Sequence, residues 1–203
     1  MRHRAYWLKT LHQWHWISAA LCLIGMLLFS ATGITLNHAA QIGSTPEVTT
    51  LKGVLPETVL TALRVQAGAA EPAPLPPPLR DWLATQWSVH VGDRVAEGSD
   101  DEVYLSLPRP GGDAWLSIQL ADGAIEYERT DRGWISYLND LHKGRNTGVM
   151  WSWFIDLFAM ACLVFSITGL LLLKLHAAQR GMTWPLVGLG LLLPLLLALL
   201  FIH

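Results

Sequence analysis

Histidine is the residue type here whose placement points most directly to chemistry. His12 and His15 precede the first of three long apolar runs and His38 follows it, while His142 precedes the second and His176 follows it. His203 stands at the end of the sequence. A neutral imidazole can coordinate a metal without burying a charge, so histidines at the ends of membrane-length segments are good candidates for axial ligands to a haem iron. With the two flanked segments antiparallel, His38 and His142 share one face of the bilayer, and His15 (or His12) shares the other with His176. Each pair would grip one iron from both sides. Such an iron has no open position, which favours electron transfer over oxygen chemistry. About 35 Å of continuous helix would separate His15 from His38, long for direct transfer between two haems. One haem, or two with a relay, both remain open. His12 lies one turn from His15 on the same face, so one of the two is expected to be used. His3 and His203 are read as bystanders.

The competing reading of any single histidine is interfacial. Imidazole and indole rings both suit the membrane–water boundary, and Trp7, Trp14, Trp16, Trp134, Trp151, Trp153 and Trp184 fit an aromatic belt. Two further residues belong with the candidate ligands. Asp156 is the one acid within an apolar run, where a carboxylate is costly and marks function or pairing. It is positioned either to orient a ligand histidine or to bond Ser30 or Thr32. Arg145, close to His142, would pair with a haem propionate or with a lipid phosphate.

The elements that must position these groups follow from composition. The chain has 203 residues, 52% hydrophobic, and a mean hydropathy of +0.34, too apolar for an ordinary soluble domain. Residues 17–36 and 183–202 carry no charge and 149–173 carry only Asp156, and each run is long enough to cross hydrocarbon as a helix. The first run is too long and lacks the small-residue site of a cleavable signal peptide, so it is expected to be retained. Arg2, Arg4 and Lys9 before the first span, and Lys174 and Arg180 between the second and third, place those segments in the cytoplasm by the positive-inside rule. Lys143 and Arg145 run against that rule, which long translocated segments obey weakly. The expected organisation is 1–38 as cytoplasmic N-terminus and first span, 39–141 as a periplasmic domain, 142–176 as the second span and 177–203 as the third.

Within the outer segment, Leu55-Pro56-Glu57 opens a short helix, 70–78 form an extended proline-rich linker and 79–87 a second helix. The periodicity then changes to two. Strands are predicted over 102–107, 114–120 and 124–129, with a tight turn at Asp122-Gly123. A small α+β domain with an antiparallel sheet results. It holds no nucleophile, base and acid in a triad pattern, and there is no HExxH, so peptidase chemistry is not expected. His90 is read as a surface residue. Cys22 and Cys162 both fall inside apolar runs and read as small buried residues, and no CxxCH for covalent haem attachment occurs.

An internal echo links the two flanked spans. Ser30-Ala31-Thr32-Gly33 near the end of the first resembles Ser166-Ile167-Thr168-Gly169 near the end of the second, and Leu-His precedes both. On antiparallel helices this is an inverted repeat. Small residues there let helices pack closely, and would also leave room for a flat macrocycle beside Gly33 and Gly169.

These motifs resemble those of PepSY-associated transmembrane helix proteins. The similarity is carried by Trp14-His15-Trp16, by residues 30–38 ending in His38, by 138–145 around His142, by 151–156 ending in Asp156, by 166–170, and by the strand pair around Asp122-Gly123. It covers nearly the whole chain. Larger members are inner-membrane ferric-siderophore reductases that carry b haem on span histidines. The resemblance therefore implies haem b, one or two groups, with His38 and His142 best matched and His15 next. The present chain differs in having three spans and one PepSY-like unit. The expected architecture is a membrane α-helical protein with a small periplasmic α+β PepSY-like domain, in a bacterial inner membrane. Its expected role is electron transfer across the membrane, to a ferric siderophore, another iron chelate or a redox partner protein. The alternatives are a non-enzymatic interaction or inhibitor protein and an accessory subunit of a membrane redox complex. Membrane lipid is an expected partner, oligomers are compatible with the apolar spans, and no nucleic-acid partner is expected.

Overall fold

The computed structural model describes residues 2–43, 45–67 and 73–202, with the side chains of residues 2–4 and 179 outside that description. His203, the side chain of His3 and the first part of the proline-rich linker therefore lie outside the described residues. The chain divides into two compact units, one of residues 1–29 and 153–203 and one of residues 30–152.

The first unit is helical. Helix α1 runs from Arg2 to Asn37, well before the apolar run begins, because residues 2–16 contain no proline or glycine to break it. Helix α5 (Val149–His176) and helix α6 (Thr183–Phe201) are the other two segments long and apolar enough to span a membrane. Inside this unit α1 packs antiparallel on α5. Phe158 stacks on Phe29 with ring centroids 5.0 Å apart and lies against Gly25, where an added Cβ would come within 2.3 Å of the ring. A glycine at 25 is thus what makes room for the Phe158 ring against α1, a small residue used at a helix–helix contact as expected in lipid. Cys22 is fully buried and Cys162 partly so, both as free thiols. No residue of α6 is buried among the described residues, which suits an apolar helix solvated by lipid. Pro194 stands inside it and removes one i→i−4 backbone hydrogen bond.

The second unit contains the sheet domain. Strands β1 (Glu47–Val54), β2 (Glu97–Gly98), β3 (Glu102–Ser106), β4 (Gly112–Gln119) and β5 (Ala124–Asp131) form one antiparallel sheet in the order β1-β5-β4-β3-β2. Helices α2 (Glu57–Ala67) and α3 (Pro77–Trp87) cover one face. Strand β4 shows why, because Gly112, Ala114, Leu116 and Ile118 alternate inward and are buried. They meet Leu60 and Leu63 of α2 and Leu79 and Leu83 of α3 in one core. Each fully buried leucine or isoleucine contributes about 1.5–3 kcal/mol. The prolines at 76–78 suit the first turn of α3, where a missing N–H costs nothing, so the linker doubles as the helix start. The other sheet face is polar and aromatic: Trp115 stacks on Tyr104 and donates its Nε1–H to Glu128.

Strands β1 and β2 and helix α4 lie outside the elements expected from the sequence. Strand β1 was missed because its inward positions are Thr49, Leu51 and Gly53, a single large apolar residue among three. Helix α4 (Gly133–Lys143) was missed because its buried residues are polar, Asn139 and Asp140, while Trp134, Ile135, Tyr137 and Leu138 are exposed. Asp140 accepts the backbone N–H of Gly111 at 2.8 Å, and Gly111, at φ +73°, lies so close to Tyr137 that a Cβ would stand 2.8 Å from its Cα. Helix α4 is therefore locked to the β3–β4 turn by a hydrogen bond and by a residue that must be glycine. It ends at Gly144 in the left-handed conformation, the usual helix C-terminal device. His142 consequently sits on the last turn of this separate helix rather than on the span itself.

Candidate functional site

Three imidazoles share one local arrangement, and a fourth bonds across to a neighbouring helix. His12 Nδ1 contacts the carbonyl of Leu8 at 2.8 Å, His38 that of Ile34 at 3.0 Å, and His176 that of Leu172 at 2.8 Å, each one turn back on its own helix. His15 Nδ1 reaches the Phe165 carbonyl at 3.3 Å and Thr168 Oγ1 at 3.1 Å. A carbonyl only accepts, so each of these Nδ1 atoms carries a proton and donates it. In the neutral ring the lone pair is then on Nε2, which is the tautomer and orientation a metal ligand needs.

Within the helical unit, the ring beside His176 is that of His12, not His15. The two centroids are 6.1 Å apart and the planes nearly perpendicular at 86°. Two imidazoles on opposite sides of one metal, bonded at about 2.0–2.1 Å, put their centroids about 6.3 Å apart. His15 is half-buried and turned the other way. It stacks on Phe165 at 4.7 Å, and its Cε1 stands 3.3 Å from where a Cβ on Gly169 would lie. Thr168 donates its own hydroxyl proton to the Val164 and Phe165 carbonyls, leaving its oxygen to accept from His15.

The second unit repeats this arrangement with the roles of the two helices exchanged. His142 Nδ1 lies 2.7 Å from Thr32 Oγ1, and its Cε1 lies 3.6 Å from a Cβ built on Gly33. Three residues earlier on α4, Asn139 accepts a hydrogen bond from the Thr35 hydroxyl at 2.9 Å. Trp151 Nε1 donates to the Leu141 carbonyl, fixing the turn that carries His142. The Thr-Gly pairs of the sequence echo are thus the two surfaces on which His15 and His142 rest. A substituent on Gly169 would press on the His15 imidazole edge, whereas one on Gly33 would make ordinary contact with that of His142.

The remaining candidates are placed more simply. His38 is exposed, and its hydrogen bond is to its own helix, with none to His142. Arg145 lies in the exposed turn after α4, its backbone N–H on the Asp140 carbonyl, and Asp156 is exposed on α5; neither forms an ion pair among the described residues. Among the described residues no group of three or more His, Cys, Asp or Glu converges on one point, so the histidine arrangement is one of pairs rather than a cage. Thr32, Thr168 and the His12–His176 pair were the parts that reading of single residues undervalued. The repeated Thr-Gly dipeptide was the available signal.

These features define a three-helix membrane protein with a small α+β domain whose histidines rest on Thr-Gly surfaces of the long helices. A family model covering residues 6–203 matches, and the chain belongs to the PepSY_TM-like family. No curated protein and no solved structure matches it.

Proposed function

We propose that this chain is a bacterial inner-membrane b-type haem protein that carries electrons across the membrane. In this reading the sheet domain faces the periplasm and a ferric siderophore or other iron chelate is the final acceptor. The observation that carries the proposal is the His12–His176 pair, with its 6.1 Å ring spacing and both Nδ1–H groups already engaged by backbone carbonyls. A second support is that Gly169 leaves open the edge of His15, where an added Cβ would stand 3.3 Å from the imidazole Cε1.

Haem b held between two of these imidazoles would supply one-electron exchange. The chain's own residues do the rest. His12 and His176 are the ligands proposed for one end of the α1–α5 pair. His142 is the candidate at the other end of α1, with His38 as its partner, and His15 holds the packing beside the first pair or replaces His12 there. The i−4 carbonyls and Thr168 fix tautomer and ring plane, which raises the basicity of Nε2. Arg145 would meet a propionate or a lipid phosphate. Asp156, exposed on α5, would orient a ligand histidine or exchange a proton with it. Arg2, Arg4 and Lys9 in the first turns of α1, Lys174 at the end of α5 and Arg180 between α5 and α6 support a cytoplasmic placement of those ends. Reduction would release iron from an oxygen-donor chelate, since hard oxygen ligands hold iron(III) better than iron(II).

The test is a pyridine haemochrome assay on full-length protein purified in detergent from cells supplied with a haem precursor. One or two haem b per chain is the expected result. Colourless, folded protein from such cells would refute the reading.

A further inference from the structure

We propose that the sheet domain carries a binding site for a small polycarboxylate anion built on an apolar or aromatic body. The inner face of the sheet changes character along its length. It runs from Ile118 and Ile125, through Leu116 with Tyr127, to the rank where Arg129 stands between Thr49 and Ala114. Helix α3 covers the apolar ranks and stops at Trp87. Ser88, in the left-handed region at φ 56°, then turns the chain away. The loop that follows walls off a cleft of about 460 Å³ at the open end of the core. That volume lies in the range of small-molecule sites, about 300–1,000 Å³.

Its lining is selective in charge. Arg94, Arg109, Arg129 and His90 face it, Trp87 and Tyr127 supply aromatic surface, and no carboxylate lines it. Asp131, just outside, takes Arg109 at 3.3 Å and Arg129 at 3.5 Å on the same oxygen. One carboxylate thus holds two guanidiniums side by side without neutralising both. Arg94 makes no ion pair among the described residues, and its guanidinium reaches only the Pro108 carbonyl, at 3.4 Å. The chain as a whole carries a formal charge of −2, so this cleft is a local concentration of positive charge rather than part of a generally basic surface. Planar guanidinium forks match carboxylates two bonds at a time, and the aromatic walls suit a flat body between them. An arginine on the core-facing side of a strand gives up apolar packing, and a ligand carboxylate is what would recover that loss. The site stands whether or not the membrane helices carry haem.

The experiment is calorimetric titration of the full-length protein in detergent with benzene-1,3,5-tricarboxylate, and in parallel with inorganic phosphate. Expected is saturable 1:1 binding of the tricarboxylate, weaker binding of phosphate, and a loss of about tenfold to a hundredfold in affinity in Arg94→Gln and in Arg129→Gln. Arg94→Gln touches no ion pair, so its melting temperature should equal that of the unsubstituted protein. Arg94→Lys should recover part of the affinity, keeping the charge but not the fork. Absence of saturable binding would overturn the proposal. So would equal affinity for phosphate and tricarboxylate, or a tricarboxylate affinity unchanged by Arg94→Gln.

Discussion

His142 Nδ1 and Thr32 Oγ1 stand 2.7 Å apart, and the same pair of atom types recurs between His15 and Thr168 at 3.1 Å. In each case a glycine follows the threonine and lies under the imidazole edge. The two contacts are reciprocal, with helix α1 giving the threonine in one and the histidine in the other. Replacing either threonine by valine keeps its shape and removes its hydroxyl. In membranes such side-chain hydrogen bonds contribute about 0.6 kcal/mol on average and about 1.7 kcal/mol at most. Double-mutant cycles combining Thr32→Val with His142→Ala, and Thr168→Val with His15→Ala, should each give coupling within that range, read from thermal unfolding in detergent. A coupling of zero in both would mean the threonines merely fill space.

Glycines in the membrane helices should separate into two classes. Gly25 lies under Phe158, and a leucine there must push α1 and α5 apart. The expected cost is about 1–3 kcal/mol, the usual range for overpacking. Gly188 and Gly190 of α6 have nothing within 4 Å, so alanine at either should leave stability unchanged or slightly raised. Melting curves of the three variants in one detergent check this. Equal effects at 25 and 190 would contradict the α1–α5 packing.

The sheet domain should lose stability in acid through Asp131. Its carboxyl is held below the usual range, first by the Gly133 backbone N–H against the opposing effect of burial, and further by Arg109 and Arg129. The folded pKa is thus lower than the unfolded one. The resulting stabilisation is complete above the unfolded value, near pH 4, and is lost as pH falls through the folded value. The Asp131 side chain is 40% exposed, so solvent screening keeps the contribution modest. Asp131→Asn should flatten the acid limb of a stability profile below about pH 4 and change little at pH 7 beyond the lost ion pairs. An identical acid limb in the variant would show that other carboxylates set it.

How much of this was legible in the sequence depended on what each element buries. The spans were plain because lipid asks only for length and apolarity, and the strand from Gly112 to Gln119 was plain because its alternation is clean. Helix α4 was illegible for the opposite reason. It turns Asn139 and Asp140 inward to meet Thr35 and Gly111, so its apolar residues mark the wrong face. The candidate ligands were visible as residues, but their pairing was not. Whether His12 or His15 meets His176 depends on the rotation of two helices about their axes, and one turn of spacing does not decide it. Resolution came from Gly169 and Thr168, which draw His15 onto α5 and leave His12 for His176. The repeated Thr-Gly step already held that information, since a small residue beside a hydrogen-bond acceptor makes a seat for a ring.

The measurement that bears most directly on this picture is the absorbance spectrum, oxidised and dithionite-reduced, of full-length protein and of His12→Ala and His176→Ala. The expected result is a six-coordinate low-spin b-type spectrum in the parent. Each variant should lose haem per chain or shift to five-coordinate high-spin, with the sheet domain still folded by circular dichroism. A parent without a Soret band, or a Soret band of the same position and height in both variants, would contradict it.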